Sequence, residues 1–307
     1  MNHLMNDLCN LCPRRCNAAR PFSLAGNSAI SGVCHAPQTA VVSGAGLHFW
    51  EEPVISGTCG SGTIFFSGCN LHCVFCQNYD ISSQNKGKEL EADDLCRIYA
   101  DLIASGVHNI NLVTPGHFTE AILPTLEKSP GVPVVYNTNG YDSVETLRRW
   151  EDKIQIYLPD LKYMDNALGK RFSNVNDYME KATAAIDEMF RQVGNFEIND
   201  EGIMTRGVII RHLMLPGCLE NTLKVIDYVA DKFRPGEVMF SLMRQYIPCG
   251  IVSEKNFPEL NRTVSDAEYE AAQNALFSSG IEDGFLQDAD SAAEDFIPAF
   301  DGTGVDK

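Results

Sequence analysis

From residue 62 onward, short apolar runs alternate with stretches of helical periodicity. The runs Thr63–Phe66, Ile110–Thr114, Pro133–Asn137, Ile154–Leu158, Val208–Leu213 and Val238–Leu242 read as strands. They are mostly continuous rather than alternating, as in strands buried on both faces of a parallel sheet. Between them, Leu95, Ile98, Tyr99, Leu102 and Ile103 recur at helical spacing, with Gly106 as a stop. Asp142 and Glu145 form an expected N-cap pair ahead of Leu147 and Trp150. A second stripe runs from Met179 through Ala182, Ile186, Met189 and Phe190 to Val193, ended by Gly194. A third takes Leu223, Ile226, Val229, Ala230 and Phe233 before Pro235. Ser265 and Glu268 open a last helix as a capping box, and Gly280 closes it.

Strands alternating with helices imply right-handed βαβ crossovers. Six such units predict an α/β fold, an open or partial (βα)6 barrel short of the closed eight. The first 61 residues look different: rich in Cys, Gly, Ser and Pro, with little periodicity, they read as a loop-rich segment stapled by metal. The expected division is therefore residues 1–61 as a Cys-rich segment, 62–290 as the barrel and 291–307 as a tail. The stretch from Thr263 to Asp306 carries 11 acidic residues and no Lys or Arg, which reads as a solvated face or a frayed end.

Charge narrows the function. With 24 Lys and Arg against 41 Asp and Glu, the net charge is −17, which disfavours broad attraction to nucleic acid or anionic lipid. No apolar run reaches the ~18 residues of a membrane span. The opening MNHLMNDLCNLCPRRC lacks a signal-peptide core, so a cytoplasmic location is expected.

Cysteine changes the picture most. There are 11, an odd number that argues against a disulfide framework, and seven fall into two tight clusters. Cys69, Cys73 and Cys76 form CxxxCxxC directly after a predicted strand. Three thiolates on one loop can hold three irons of a [4Fe–4S] cube and leave the fourth open to a substrate or cofactor. Gly68 allows a sharp exit from the strand, and Phe65, Phe66, Leu71, Val74 and Phe75 would keep water away. A zinc site completed by His72, or three unrelated thiols, are the alternatives.

The segment GCNLHCVFCQN, with Asn78 two residues past the last cysteine, resembles the radical S-adenosylmethionine (radical SAM) superfamily. It looks most like uncharacterised relatives of pyruvate formate-lyase activating enzyme. The resemblance implies a radical SAM-type partial barrel. It also implies a cluster-bound SAM that is reductively cleaved to methionine and a 5′-deoxyadenosyl radical, which abstracts hydrogen. It further implies a reductant such as flavodoxin or ferredoxin, and a glycyl radical enzyme as substrate. A radical aimed at another peptide or metabolite, and a non-catalytic metal-binding scaffold, are the competing readings.

Polar groups at the expected strand ends are the cofactor-binding candidates. Thr114-Pro-Gly116 occupies the place of the family's Gly-rich SAM contact, though a plain turn explains Pro-Gly equally well. Asn137-Thr-Asn-Gly resembles the family's DTNG with Asn137 in place of Asp. Asp160 and Lys162 resemble its DLK, to meet the SAM ammonium and carboxylate, or else form an ordinary ion pair. Ile210-Arg-His-Leu-Met-Leu-Pro-Gly217 resembles the family's IRxxxxPG strand, and Arg211, inside an apolar run, needs an anionic partner, for which SAM or its ribose is the expected contact. Arg244, Gln245, Tyr246 and His117 are candidates to face substrate, whereas His212 reads as a core histidine. Finally, Cys9, Cys12, Cys16 and Cys34 have spacing suited to zinc or a second iron–sulfur cluster, and Arg14 and Arg15 place cations beside their sulfurs.

Overall fold

The computed structural model describes residues 8–23, 32–287 and 300–305. Ten strands form one open sheet: β1 (Ala40–His48), β2 (Ser61–Phe66), β3 (Lys88–Leu90), β4 (Ile110–Val113), β5 (Val134–Thr138), β6 (Ile156–Pro159), β7 (Glu197–Ile198), β8 (Met204–Leu213), β9 (Met239–Met243) and β10 (Gly284–Leu286). Their order is β10-β9-β8-β6-β5-β4-β2-β1-β3, with β7 hanging on β8. Every neighbouring pair from β2 to β10 is parallel, whereas β1 runs antiparallel to β2 and to β3. This is an α/β partial barrel of the (βα)6 kind, with β10 as a further parallel strand.

All six sequence-predicted strands are present. The helices Ala92–Ala104, Tyr178–Val193, Leu219–Lys232 and Asp266–Ser278 also stand where periodicity puts them. Ser265 and Glu268 form the expected reciprocal cap. Two local expectations fail. Ser143, not Asp142, caps helix Val144–Leu147, accepting a hydrogen bond from the Thr146 amide. Asp142 is buried instead and accepts from the Tyr136 and Thr138 hydroxyls. Residues 40–48, placed by sequence in a loop-rich segment, form β1, whose run AVVSGAGLH is too poor in large apolar residues to stand out. The chain end returns to this strand, where the Ala45 amide donates to the Thr303 carbonyl at 3.0 Å.

Side-chain alternation along the parallel strands places the site. Val134, Tyr136, Tyr157, Val208 and Ile210 belong to the large core between sheet and helices. Their alternates Val135, Ile156, Leu158, Ile209 and Met239 form a separate apolar plug inside the barrel. Continuing along those inner rows toward the C-terminal strand ends, the residues become Asn137, Asp160, Arg211 and Ser241. The plug therefore closes one end of the barrel and leaves a polar wall at the other, the end where barrels of this kind carry their sites.

Candidate functional site

The exit from β2 is forced by local geometry. Gly68 has φ 83°, and a Cβ there would stand 2.6 Å from the Cys34 carbonyl oxygen, so only glycine fits. The loop that follows presents Cys69, Cys73 and Cys76 to a cavity of about 480 Å³, within the ~300–1,000 Å³ range of small-molecule sites.

Each of the three sulfurs accepts hydrogen bonds. Asn139 Nδ2 reaches Cys69 Sγ at 3.3 Å, and the Leu71 amide reaches it at 3.4 Å. Ser173 Oγ donates to Cys73 Sγ at 3.1 Å, and Ser82 Oγ to Cys76 Sγ at 3.3 Å. Burial pushes the Cys73 thiol up, partly offset by Lys162. Burial also pushes Cys76 to about 12, with the neighbouring thiols adding to it. Such thiols lose their protons to a bound metal rather than to water. With His72 engaged elsewhere, the loop offers three thiolates and no fourth ligand, which matches the open [4Fe–4S] cube better than the four-ligand tetrahedron of zinc. His72 is turned away, its Nε2 2.6 Å from the Val33 carbonyl oxygen.

The wall facing this loop is a network of buried charges. Lys162 Nζ pairs with Asp160 Oδ2 at 2.6 Å, and Arg211 Nη2 with Asp160 Oδ1 at 3.0 Å. Arg211 also meets Glu51 Oε2 at 3.0 Å and donates to Asn137 Oδ1 at 2.6 Å. Glu51 Oε1 accepts from Asn111 and Asn137, each at 3.0 Å. Burial alone would raise the Asp160 carboxyl, but Lys162 and Arg211 overcome it and hold the group below its ordinary value. Burial would likewise lower Lys162, and Asp160 holds it above its usual value. Glu52 completes the wall. Its Oε2 is buried with no hydrogen-bond partner, and burial pushes its carboxyl up despite Arg211.

Asn137, Asp160, Lys162 and Arg211 all line the cavity, as do Asn78 and Gln245. Gly116 does not. A Cβ there would meet the Tyr136 hydroxyl at 2.6 Å, so this glycine serves packing, and Thr114 is the member of its turn that reaches the cavity. Three other sequence candidates lie elsewhere. His117 is buried with Nε2 2.8 Å from the Ser67 carbonyl. Arg244 pairs with Asp266 over the Tyr269 ring, and Tyr246 donates to the Leu260 carbonyl. Cys9, Cys12, Cys16 and Cys34 are free thiols outside the cavity lining. Sequence reading missed Glu51 and Glu52. Their signal was the paired carboxylate before Pro53, far from any recognised motif. At the rim, Trp50 and Leu286 are exposed.

Residues 63–217, half of the chain, match the Radical SAM superfamily. A Methanocaldococcus jannaschii protein, Uncharacterized protein MJ0674, is 30% identical over 274 residues, covering 86% of this chain and 72% of that one. Among solved structures, Streptococcus suis SuiB bound to S-adenosylmethionine is similar at 13% identity and TM-score 0.48, over 73% of this chain and 49% of SuiB. The chain thus spans about half the length of that neighbour. A domain of pyruvate-formate lyase-activating enzyme from Bacteroides vulgatus is similar at 15% identity and TM-score 0.35, over 64% of this chain and 91% of that domain. The matched region runs from β2 and its cysteine loop through the strand carrying Arg211, and the relative shares most of the chain's length; the protein belongs to the radical SAM superfamily.

Proposed function

We propose that the protein is a radical SAM enzyme that takes a hydrogen atom from a backbone glycine of a protein partner, in the manner of a glycyl-radical-enzyme activator. The observation that carries the reading is the cavity in which three hydrogen-bonded cysteines face the buried set Asp160, Lys162 and Arg211.

The family implies a [4Fe–4S] cluster and SAM. When bound, they supply one-electron cleavage of SAM to methionine and a 5′-deoxyadenosyl radical that abstracts hydrogen. The chain's residues do the rest. Cys69, Cys73 and Cys76 hold the cluster, while Asn139, Ser173 and Ser82 stabilise charge on their sulfurs. Asp160 offers a carboxylate to the cofactor's ammonium and Lys162 an ammonium to its carboxylate. Arg211 keeps Asp160 ionised. The apolar plug below excludes water from that side. The exposed Trp50 and Leu286 at the rim offer apolar contacts that suit a peptide loop. A reductant such as flavodoxin or ferredoxin would supply the electron. A scaffold would have no use for so costly a buried charge set.

The test uses proteins from the source organism grown on glycine dideuterated at Cα, added to reduced enzyme and SAM. Deuterium appearing in 5′-deoxyadenosine is the expected result. Deoxyadenosine that forms without deuterium would overturn the glycine substrate in favour of another peptide or a metabolite.

A further inference from the structure

Cys9, Cys12, Cys16 and Cys34 do not line the site cavity, and the proposed chemistry gives them no work. They are nevertheless gathered. A Cβ on Gly32 would stand 3.7 Å from Cys16 Sγ and 3.9 Å from Cys34 Sγ, so the backbone passes close by both sulfurs. Arg20 Nη1 lies 3.9 Å from Cys9 Sγ. Gly32 also packs against Ala18, whose backbone bridges to Cys9. None of the four is in a disulfide.

The segment that carries them has almost no apolar core of its own. Within residues 8–23 and 32–37 the backbone pairing is one isolated bridge, Cys9 with Ala18, and a few turns. Its buried apolar residues are Ala18, Gly32, Cys34, Ala36 and Pro37, too small to supply a core. Small loop-rich segments of this kind are held by metal or disulfide.

The same segment grips the radical loop. Arg14, between Cys12 and Cys16, donates to the carbonyls of Asn70 at 2.8 Å and Leu71 at 3.2 Å. It also reaches Asn174 at 2.8 Å and Ser173 at 3.1 Å, the last being the residue whose hydroxyl donates to Cys73. His72 contacts the Val33 carbonyl, and Gly68 packs on that of Cys34.

We propose that Cys9, Cys12, Cys16 and Cys34 together ligate a second metal centre, packed against the loop that carries the radical cluster. Four thiolates satisfy a single zinc ion or a [4Fe–4S] cube completely, so this centre has no open position and binds no substrate. Arg14 and Arg20 supply cations beside the anionic centre.

The test is iron and zinc per chain in protein isolated anaerobically, without added iron or sulfide. A Cys69→Ser/Cys73→Ser/Cys76→Ser variant removes the radical cluster, so any metal left belongs to the second site. About one zinc or about four irons retained in that variant is expected, the element telling a single ion from a cluster. A Cys12→Ser/Cys16→Ser variant should lose that metal and keep about four irons. A triple variant that folds but holds no metal would overturn the proposal. An unaltered chain that still holds about four irons would then leave the radical SAM reading standing, so the two failures are distinguishable.

Discussion

Arg211 Nη1 meets Glu51 Oε2 at 3.0 Å, joining residues 160 positions apart. The pair ties the segment between β1 and β2 to the strand opposite it. It also explains how a guanidinium survives in an apolar strand. Glu51, Asp160 and the Asn137 amide occupy its donors, so the desolvation cost is met by charge and hydrogen bonds together.

Removing Arg211 should therefore be worse than removing a surface cation. Arg211→Ala leaves Glu51, Glu52 and Asp160 buried against Lys162 alone. A loss of about 3–5 kcal/mol is expected from denaturant titration, since one partner of a buried network is deleted. Lys224→Ala, in an exposed pair with Glu220, should cost under about 1 kcal/mol. Equal effects would contradict the network's role.

SAM binding should depend on the same wall. Asp160→Asn and Lys162→Met are expected to weaken SAM affinity at least tenfold by calorimetry while iron content stays at the parent level. Each change removes about 1.4 kcal/mol or more of charge-assisted pairing. Unchanged affinity in both would place SAM elsewhere.

Hydrogen bonds to the cluster sulfurs should set its potential. Asn139→Ala and Ser173→Ala each remove a donor to a ligating sulfur. Both should shift the cluster's reduction potential to more negative values in a redox titration, because the donors stabilise the more negative reduced state. A positive shift would argue that these contacts do not act on the cluster.

Acid sensitivity follows from a buried histidine. Burial lowers His212 to about 4, with Nδ1 2.7 Å from the Leu161 carbonyl and Nε2 3.0 Å from the Thr222 hydroxyl. The unfolded chain binds that proton near pH 6.5 and the folded chain does not. The associated stability is present above pH 6.5 and is lost as pH falls toward 4, by roughly 1.4 kcal/mol at pH 5.5. His212→Gln should flatten this part of the stability profile. An unaltered slope would mean that other groups govern it.

The architecture was readable because βα alternation is a periodicity, and continuous apolar runs such as Val208–Ile210 mark strands covered on both faces. The cysteine triad was readable because its spacing is local. Asp160 and Lys162 were picked out by their resemblance to the family's DLK, and Arg211 by its place inside an apolar run. Glu51 was not, because its partner is 160 residues away and its neighbours show no pattern. Gly116 was misplaced because a turn glycine looks alike whether it faces a ligand or, as here, a tyrosine hydroxyl. Strand β1 was hidden by small residues whose burial comes from covering by β2, β3 and the returning chain end.

The central claim is tested most directly by 5′-deoxyadenosine formation. Anaerobic protein is reduced with dithionite, given SAM, and compared with Cys73→Ala, whose triad has lost its most buried sulfur ligand. The account predicts deoxyadenosine from the parent protein and none above background from the variant. Equal formation by both would contradict the assignment of Cys69, Cys73 and Cys76 as the ligands of the SAM-cleaving cluster.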